Sequence, residues 1–232
     1  MEQLARLAIR PLRIAFDDIH MEDVYRNAVR TAHRHGIKEI SNYILFNYKD
    51  KPYDLYRRLQ INIELNEELG IKIFSFPMKY SPITMTDRSF IGENWQKKQI
   101  RAVSAILQVT KGVVAAGTDF FYKAFGRNEE EYEMLLAMPR DLIMFRSHFE
   151  QEGTTEKWIS EYKKLNDTQR RKLLELTSLS IGELKEIEWP DDLKNILPFY
   201  LIKYRGKVDV ISKVNPKLIG LMDDSDSDLD AF

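Results

Sequence analysis

The sequence predicts an α/β fold in which about three parallel strands alternate with helices, followed by a mainly helical C-terminal extension. Three observations carry this. The segments 12–16, 40–46 and 71–76 have strand length and are dominated by branched, aromatic and other apolar residues. The segments between them, 22–35 and 52–69, repeat apolar residues at helical spacing. Gly36 and Gly70 stand where each helix must turn back toward the next strand, and glycine adopts the positive φ of such a stop at no steric cost. The order strand, helix, strand, helix, strand implies parallel pairing through right-handed crossovers.

Taken in order, residues 1–9 place Leu4, Leu7 and Ala8 on one face of a short helix, which Arg10-Pro11 ends. The first strand then runs to Asp17 and Asp18. Helix 22–35 carries Val24, Ala28 and Ala32 at four-residue steps. Asp50 and Pro52 open the next helix, one as an acceptor for free backbone N–H groups and the other with φ already set. Its two apolar lines, Leu55-Leu59-Ile63 and Ile61-Leu65-Leu69, together span more than half the cylinder, which predicts burial on more than one side. After the third strand, 82–92 reads as a loop and 94–110 as an amphipathic helix on Ile100, Val103, Ile106 and Leu107. Residues 112–117 form a small-residue turn. Thr118 caps a helix that Gly126 ends, and 128–138 is another helix. Leu142-Ile143-Met144-Phe145 fits a last strand or a helical turn.

Residues 153–155 read as a boundary between an α/β domain, 1–150, and a mainly helical extension, 151–222. Within the extension, 155–181 is charged and helical, Trp189-Pro190 introduces a short helix, and 197–211 fits a weak strand or hairpin turned at Arg205-Gly206. Residues 223–232 hold five aspartates with serines. They bury too little apolar area to offset the entropy of ordering and read as a disordered acidic tail.

Composition narrows the chemistry. The 232 residues carry a formal charge of −1, so no bulk positive field favours direct binding of nucleic acid or an anionic membrane. No apolar run approaches the ~20 residues that cross a bilayer, and residues 1–9 lack the pattern of a signal peptide, so a cytoplasmic location is expected. With no cysteine, the chain can form no disulfide, thiolate metal site or cysteine nucleophile. His20, His33, His35 and His148 show no metal-ligand spacing, and no residue is assigned as a metal ligand or as catalytic. GxSxG, Walker and HExxH patterns are all missing.

Three strands also make a small parallel sheet. Such sheets are normally covered on both faces, and an unpaired edge invites another chain. Either the C-terminal half supplies the missing cover, or a second polypeptide or a second copy does.

Three strand ends carry a family resemblance. RPLRIAFDD at 10–18, SNYILFNYKD at 41–50 and IFSFPMKY at 73–80 resemble the fourth, fifth and sixth strands of a radical S-adenosylmethionine (SAM) domain, with matching helix lengths and turn positions. The similar region is 10–150. The resemblance implies a partial (β/α) barrel. The family's CxxxCxxC loop, which ligates a [4Fe–4S] cluster, belongs to the half not found in this sequence, and the glycines of its GxIxGxxE pattern are not present at 42–47. By position, the resemblance places Asp17 and Asp18 at the ribose hydroxyls, Asn47 along the middle of SAM, and Phe76 and Met78 beside the adenine.

Each of these residues also has a plainer role. Asp17 or Asp18 can cap the following helix, Asn47 can form a turn, and Ser75 can make a core hydrogen bond. Lys79 and Tyr80 either meet an anionic group or cover the barrel mouth. Arg57-Arg58 reads as a solvated helix face. Two functions compete, ahead of a third reading as a small α/β enzyme that uses Asp17 and Asn47 on some other ligand. In one, the chain is a subunit, or the C-terminal half, of a split radical SAM enzyme that shares SAM with a partner chain bearing the [4Fe–4S] cluster, and it is inactive alone. In the other, it is a non-catalytic binding or assembly module derived from that domain. The acidic tail resembles the tips of single-stranded-DNA-binding proteins, which dock in basic pockets on partners; otherwise it only aids solubility.

Overall fold

The computed structural model describes residues 2–7 and 9–204. After a short helix α1 (Glu2–Arg6), strand β1 (Leu12–Ala15) leads through a 3-10 turn (Ile19–Met21) into α2 (Glu22–Arg34). Then follow β2 (Glu39–Phe46), α3 (Pro52–Leu69) and β3 (Lys72–Lys79). The three strands form one parallel sheet in the order β1-β2-β3, with Leu12 beside Ile40 and Ile40 beside Ile73. The α/β class and the parallel strands are therefore those the sequence predicts.

Helix α3 is buried on two sides, as its two apolar lines require. Ile61 and Leu65 join Leu12, Phe16, Tyr25, Val29, Ile40 and Ile73 in a core between the sheet and α2. Leu55, Leu59 and Ile63 face a second and larger core. That core gathers α4 (Lys97–Val109), α5 (Thr118–Phe125), α6 (Glu129–Ala137), α7 (Arg140–Met144) and α8 (Arg146–Gln151). It continues into α9 (Thr154–Lys163), α10 (Asp167–Thr177), α11 (Ile181–Glu186) and the 3-10 turns Asp191–Leu193 and Leu197–Leu201. Trp158, Leu173, Leu184 and Leu197 thus share one apolar cluster with Ile44 and Phe46 of β2.

Local chemistry explains where elements start and stop. Asn166 and Ser180 each accept a backbone N–H three residues on, while Gln169 and Glu183 reach back to the cap N–H. Gly70 ends α3 at φ 63°. Three expectations need correction. Asp50 does not cap α3; Asp54 reaches back to the Lys51 N–H, and Asp50 turns inward. Thr118 lies inside α5, its cap position taken by Gly117, and its hydroxyl bonds Glu67. Of the two forms open to residues 142–145, the helical turn is the one taken. Residues 197–201 are a 3-10 turn; the rest of the expected hairpin, with the acidic tail, lies outside the described residues.

The buried Lys98 sits on α4. Its ammonium donates to the Met138 carbonyl at 2.5 Å and lies 5.8 Å over the Tyr200 ring. Burial, helped by nearby Arg101, brings its pKa down to about 7. The unfolded chain regains the ordinary lysine value of ~10.4, so above pH 7 it binds more protons than the folded chain. Stability is therefore expected to rise from pH 7 to 9.5, by at most about 1.4 kcal/mol per pH unit. Urea midpoints of the parent and Lys98→Met across that range check this: the variant should lose most of the slope. A slope equal to the parent's would show that Lys98 stays charged in the fold.

Candidate functional site

Alternation along each strand divides the sheet into two unlike faces. Toward α2 and α3 point Leu12, Ile40, Ile44 and Ile73, together with a buried polar ladder. In it Tyr25 Oη donates to Asn62 Oδ1 (2.7 Å), and Asn62 Nδ2 donates to Asn42 Oδ1 (3.1 Å) and Ser75 Oγ (2.8 Å). Ser75 thus makes the core hydrogen bond its strand position suggests.

The opposite face carries Arg13 and Ala15 from β1, Tyr43 and Leu45 from β2, and Phe74, Phe76 and Met78 from β3, in cross-strand register. Tyr43, Leu45, Phe74, Phe76 and Met78 belong to neither core. Tyr43 is 36% exposed and Met78 51%. The Tyr43 and Phe76 rings stack on each other at 5.5 Å. Ser41 on this face is buried and Leu45, Phe74 and Phe76 are half-buried, so its exposed part lies at Arg13, Ala15, Tyr43 and Met78. The far edge of β3 is closed by a backbone exchange between Ser75 and Val114, whereas the far edge of β1 pairs with no described strand.

At the C-terminal ends of the strands, where ligands of parallel α/β layers gather, two polar side chains fix the backbone. The first is Arg58, completely buried on α3. It donates to the carbonyls of Phe16 (3.2 Å), Asp17 (2.8 Å), Leu45 (2.8 Å) and Asp54 (3.0 Å), and pairs with the Asp50 carboxylate at 2.8 Å. Burial pushes the Arg58 guanidinium down and the Asp50 carboxyl up, and their contact opposes both shifts. Asp50 also accepts from the Tyr48 N–H and the Trp95 indole. The solvated Arg57-Arg58 face expected from sequence is corrected accordingly. Arg57 pairs with Glu22 and Glu64, and Arg58 ties β1 to β2 from inside.

The second is Asn47, buried and left-handed at φ 70°. Its Nδ2 donates to the carbonyls of Tyr80 (3.1 Å) and Phe90 (3.0 Å), and its Oδ1 accepts from the Gly92 N–H (2.8 Å). It therefore pins both ends of the loop after β3. Gly92 passes so close that a Cβ there would stand 2.6 Å from the Tyr48 carbonyl oxygen. Inside this loop Lys79 donates to the Arg88 carbonyl, and Tyr80 packs between Tyr48 and Phe90.

The five residues assigned from sequence separate on this geometry. Asp17 is exposed at the end of β1, with Oδ1 accepting from the Leu45 N–H at 2.6 Å. Asp18 caps the 3-10 turn, accepting from the His20 backbone at 2.9 Å; that bond and the His20 ring hold its carboxyl below the usual range. Asn47 is fully engaged in its three contacts. Phe76 and Met78 stand on the open face. Toward SAM, then, Phe76 and Met78 fit as an apolar flank for a base, and Asp17 and Asp18 each commit only Oδ1 to a structural bond, whereas Asn47 does not fit without giving up its three contacts. A [4Fe–4S] cluster does not fit, because the chain has no thiolate to offer. Among the described residues no three His, Asp or Glu side chains gather as a metal site, and no helix is long and apolar enough to cross a membrane. The chain matches no protein-family model, no curated protein and no solved structure.

Proposed function

We propose that this chain is one part of a split enzyme of the radical SAM type, with its strands completed by a second polypeptide. The observation that carries the reading is the sheet face of Tyr43, Leu45, Phe74, Phe76 and Met78, which neither core covers. An apolar face beside an unpaired parallel edge favours strand addition from another chain. In this reading the partner holds the [4Fe–4S] cluster, which supplies the electron. This chain contributes Asp17, Phe76 and Met78 to the wall around SAM. Alone it has no reductive activity.

A non-catalytic assembly module is the second reading, and Asn47 favours it: the side chain assigned to the middle of the ligand is fully engaged in holding its own loop. Both readings require association and differ in SAM dependence. The test is anaerobic purification of the tagged chain from its source cells, followed by identification of the co-purifying chain and a SAM-binding titration. The enzyme reading expects a stoichiometric partner bearing CxxxCxxC, and SAM binding that Phe76→Ala weakens. A stable partner or self-complex without SAM binding would support the assembly module. A lone monomer would contradict both.

A further inference from the structure

The helical half contains a cavity of about 500 Å³, on elements separate from the open sheet face. Its apolar wall comes from α4 (Ile106), α5 (Phe120, Ala124), α7 (Ile143) and the adjoining Phe145. Tyr204 closes one side, stacked on Phe145 at 4.2 Å and edge-on to His148 at 4.8 Å. At ~30 Å³ per water-sized volume the space holds a ligand of roughly a dozen or more heavy atoms, within the usual range for small-molecule sites.

The charged residues of its lining have one sign: Lys123 and Arg146 line the cavity beside the His148 ring, and no aspartate or glutamate does. The ring of His148 pairs outward with Glu152 at 3.2 Å. Arg146 donates to the Lys123 backbone carbonyl, which fixes the guanidinium against α5. Among the described residues neither Lys123 nor Arg146 has a carboxylate within 4 Å. Glu150 acts on Arg146 from an adjoining cavity that Arg146 and Lys123 also line, and does not line this one. An apolar chamber with two cations and no anion in its own lining is complementary to a molecule with an apolar body and one negative end.

We infer that this cavity binds an amphipathic monoanion of the medium-chain carboxylate class, its tail against Ile106, Ala124 and Ile143 and its carboxylate on Arg146 and Lys123. This site does not depend on SAM, on a partner or on the sheet face.

The test uses the full chain and decanoate below its micellar concentration, followed by calorimetry, with decanol as the neutral control. Saturable one-to-one binding of decanoate is expected, about tenfold or more tighter than decanol, as one charge-assisted contact implies. Arg146→Gln should remove most of that preference, and exposed Lys123→Gln should reduce it without disturbing the fold. Ala124→Phe should block both ligands. Circular dichroism confirms that each variant is folded. Equal affinity for decanoate and decanol would overturn the inference, as would undiminished binding to Ala124→Phe. So would the absence of saturable binding to the full chain.

Discussion

Replacing Arg58 with methionine is expected to destabilise the fold by about 3–5 kcal/mol, the range for removing one partner of a buried ion pair. The loss has two sources. Asp50 keeps a buried carboxylate whose guanidinium is gone, and four backbone carbonyls, those of Phe16, Asp17, Leu45 and Asp54, lose their donor together. Arg58→Lys should recover little, because three donors on one nitrogen cannot reach acceptors spread over β1, β2 and α3. Adding Asp50→Asn to Arg58→Met should recover only the part due to the stranded charge, which a double-mutant cycle separates from the carbonyl part. Urea unfolding measures all four proteins. A loss below about 1 kcal/mol for Arg58→Met would place the guanidinium in solvent, where surface pairs contribute that little.

Asn47→Ala is expected to cost about as much, by another route. Gly92 N–H and the carbonyls of Tyr80 and Phe90 lose their partner, at about 1–3 kcal/mol for each group that stays dry. Alanine also resists the left-handed backbone at this position, by roughly 1–2 kcal/mol. Asn47→Gly removes the side chain but tolerates the backbone, so it should be the milder of the two by about that second amount. The loop after β3 should open first. Trypsin cleavage after exposed Arg88 is expected to accelerate in both variants. If Asn47→Ala matched the parent in midpoint and cleavage rate, the loop would be held by its aromatic contacts instead, chiefly Tyr80 with Tyr48 and Phe90.

Much of the architecture was legible in the sequence because it rests on period and punctuation. The two apolar lines of α3 mark a helix with a core on either side, and each line enters its own core. Alternation and strand length mark β2 and β3. What was not legible depends on which neighbours a side chain meets. Arg57 and Arg58 are identical in type and adjacent on one helix, yet one is paired near the surface and the other is wholly buried. Only the approach of the strand ends to α3 decides between them. The one signal within reach was spacing: Asp54 lies four residues before Arg58, one helical turn back, and Asp50 stands just ahead of the helix. Asn47 was legible as a residue of interest but not in its role, since turn forming and ligand contact both require an exposed strand end. The segments around 118 and 142–145 were ambiguous because short apolar runs carry no decisive period.

The claim on which the proposed function rests is that this chain leaves one face of its own sheet open at Tyr43 and Met78. The most direct measurement is urea unfolding of the isolated chain carrying Tyr43→Thr and Met78→Thr together, substitutions that keep strand propensity while removing the apolar surface. For a face open to solvent the expected loss is below about 1 kcal/mol, the size of effect usual for surface positions away from special contacts. A loss of about 3 kcal/mol or more, the cost of truncating large side chains inside a packed core, would show that the chain covers this face itself and needs no second polypeptide to do so.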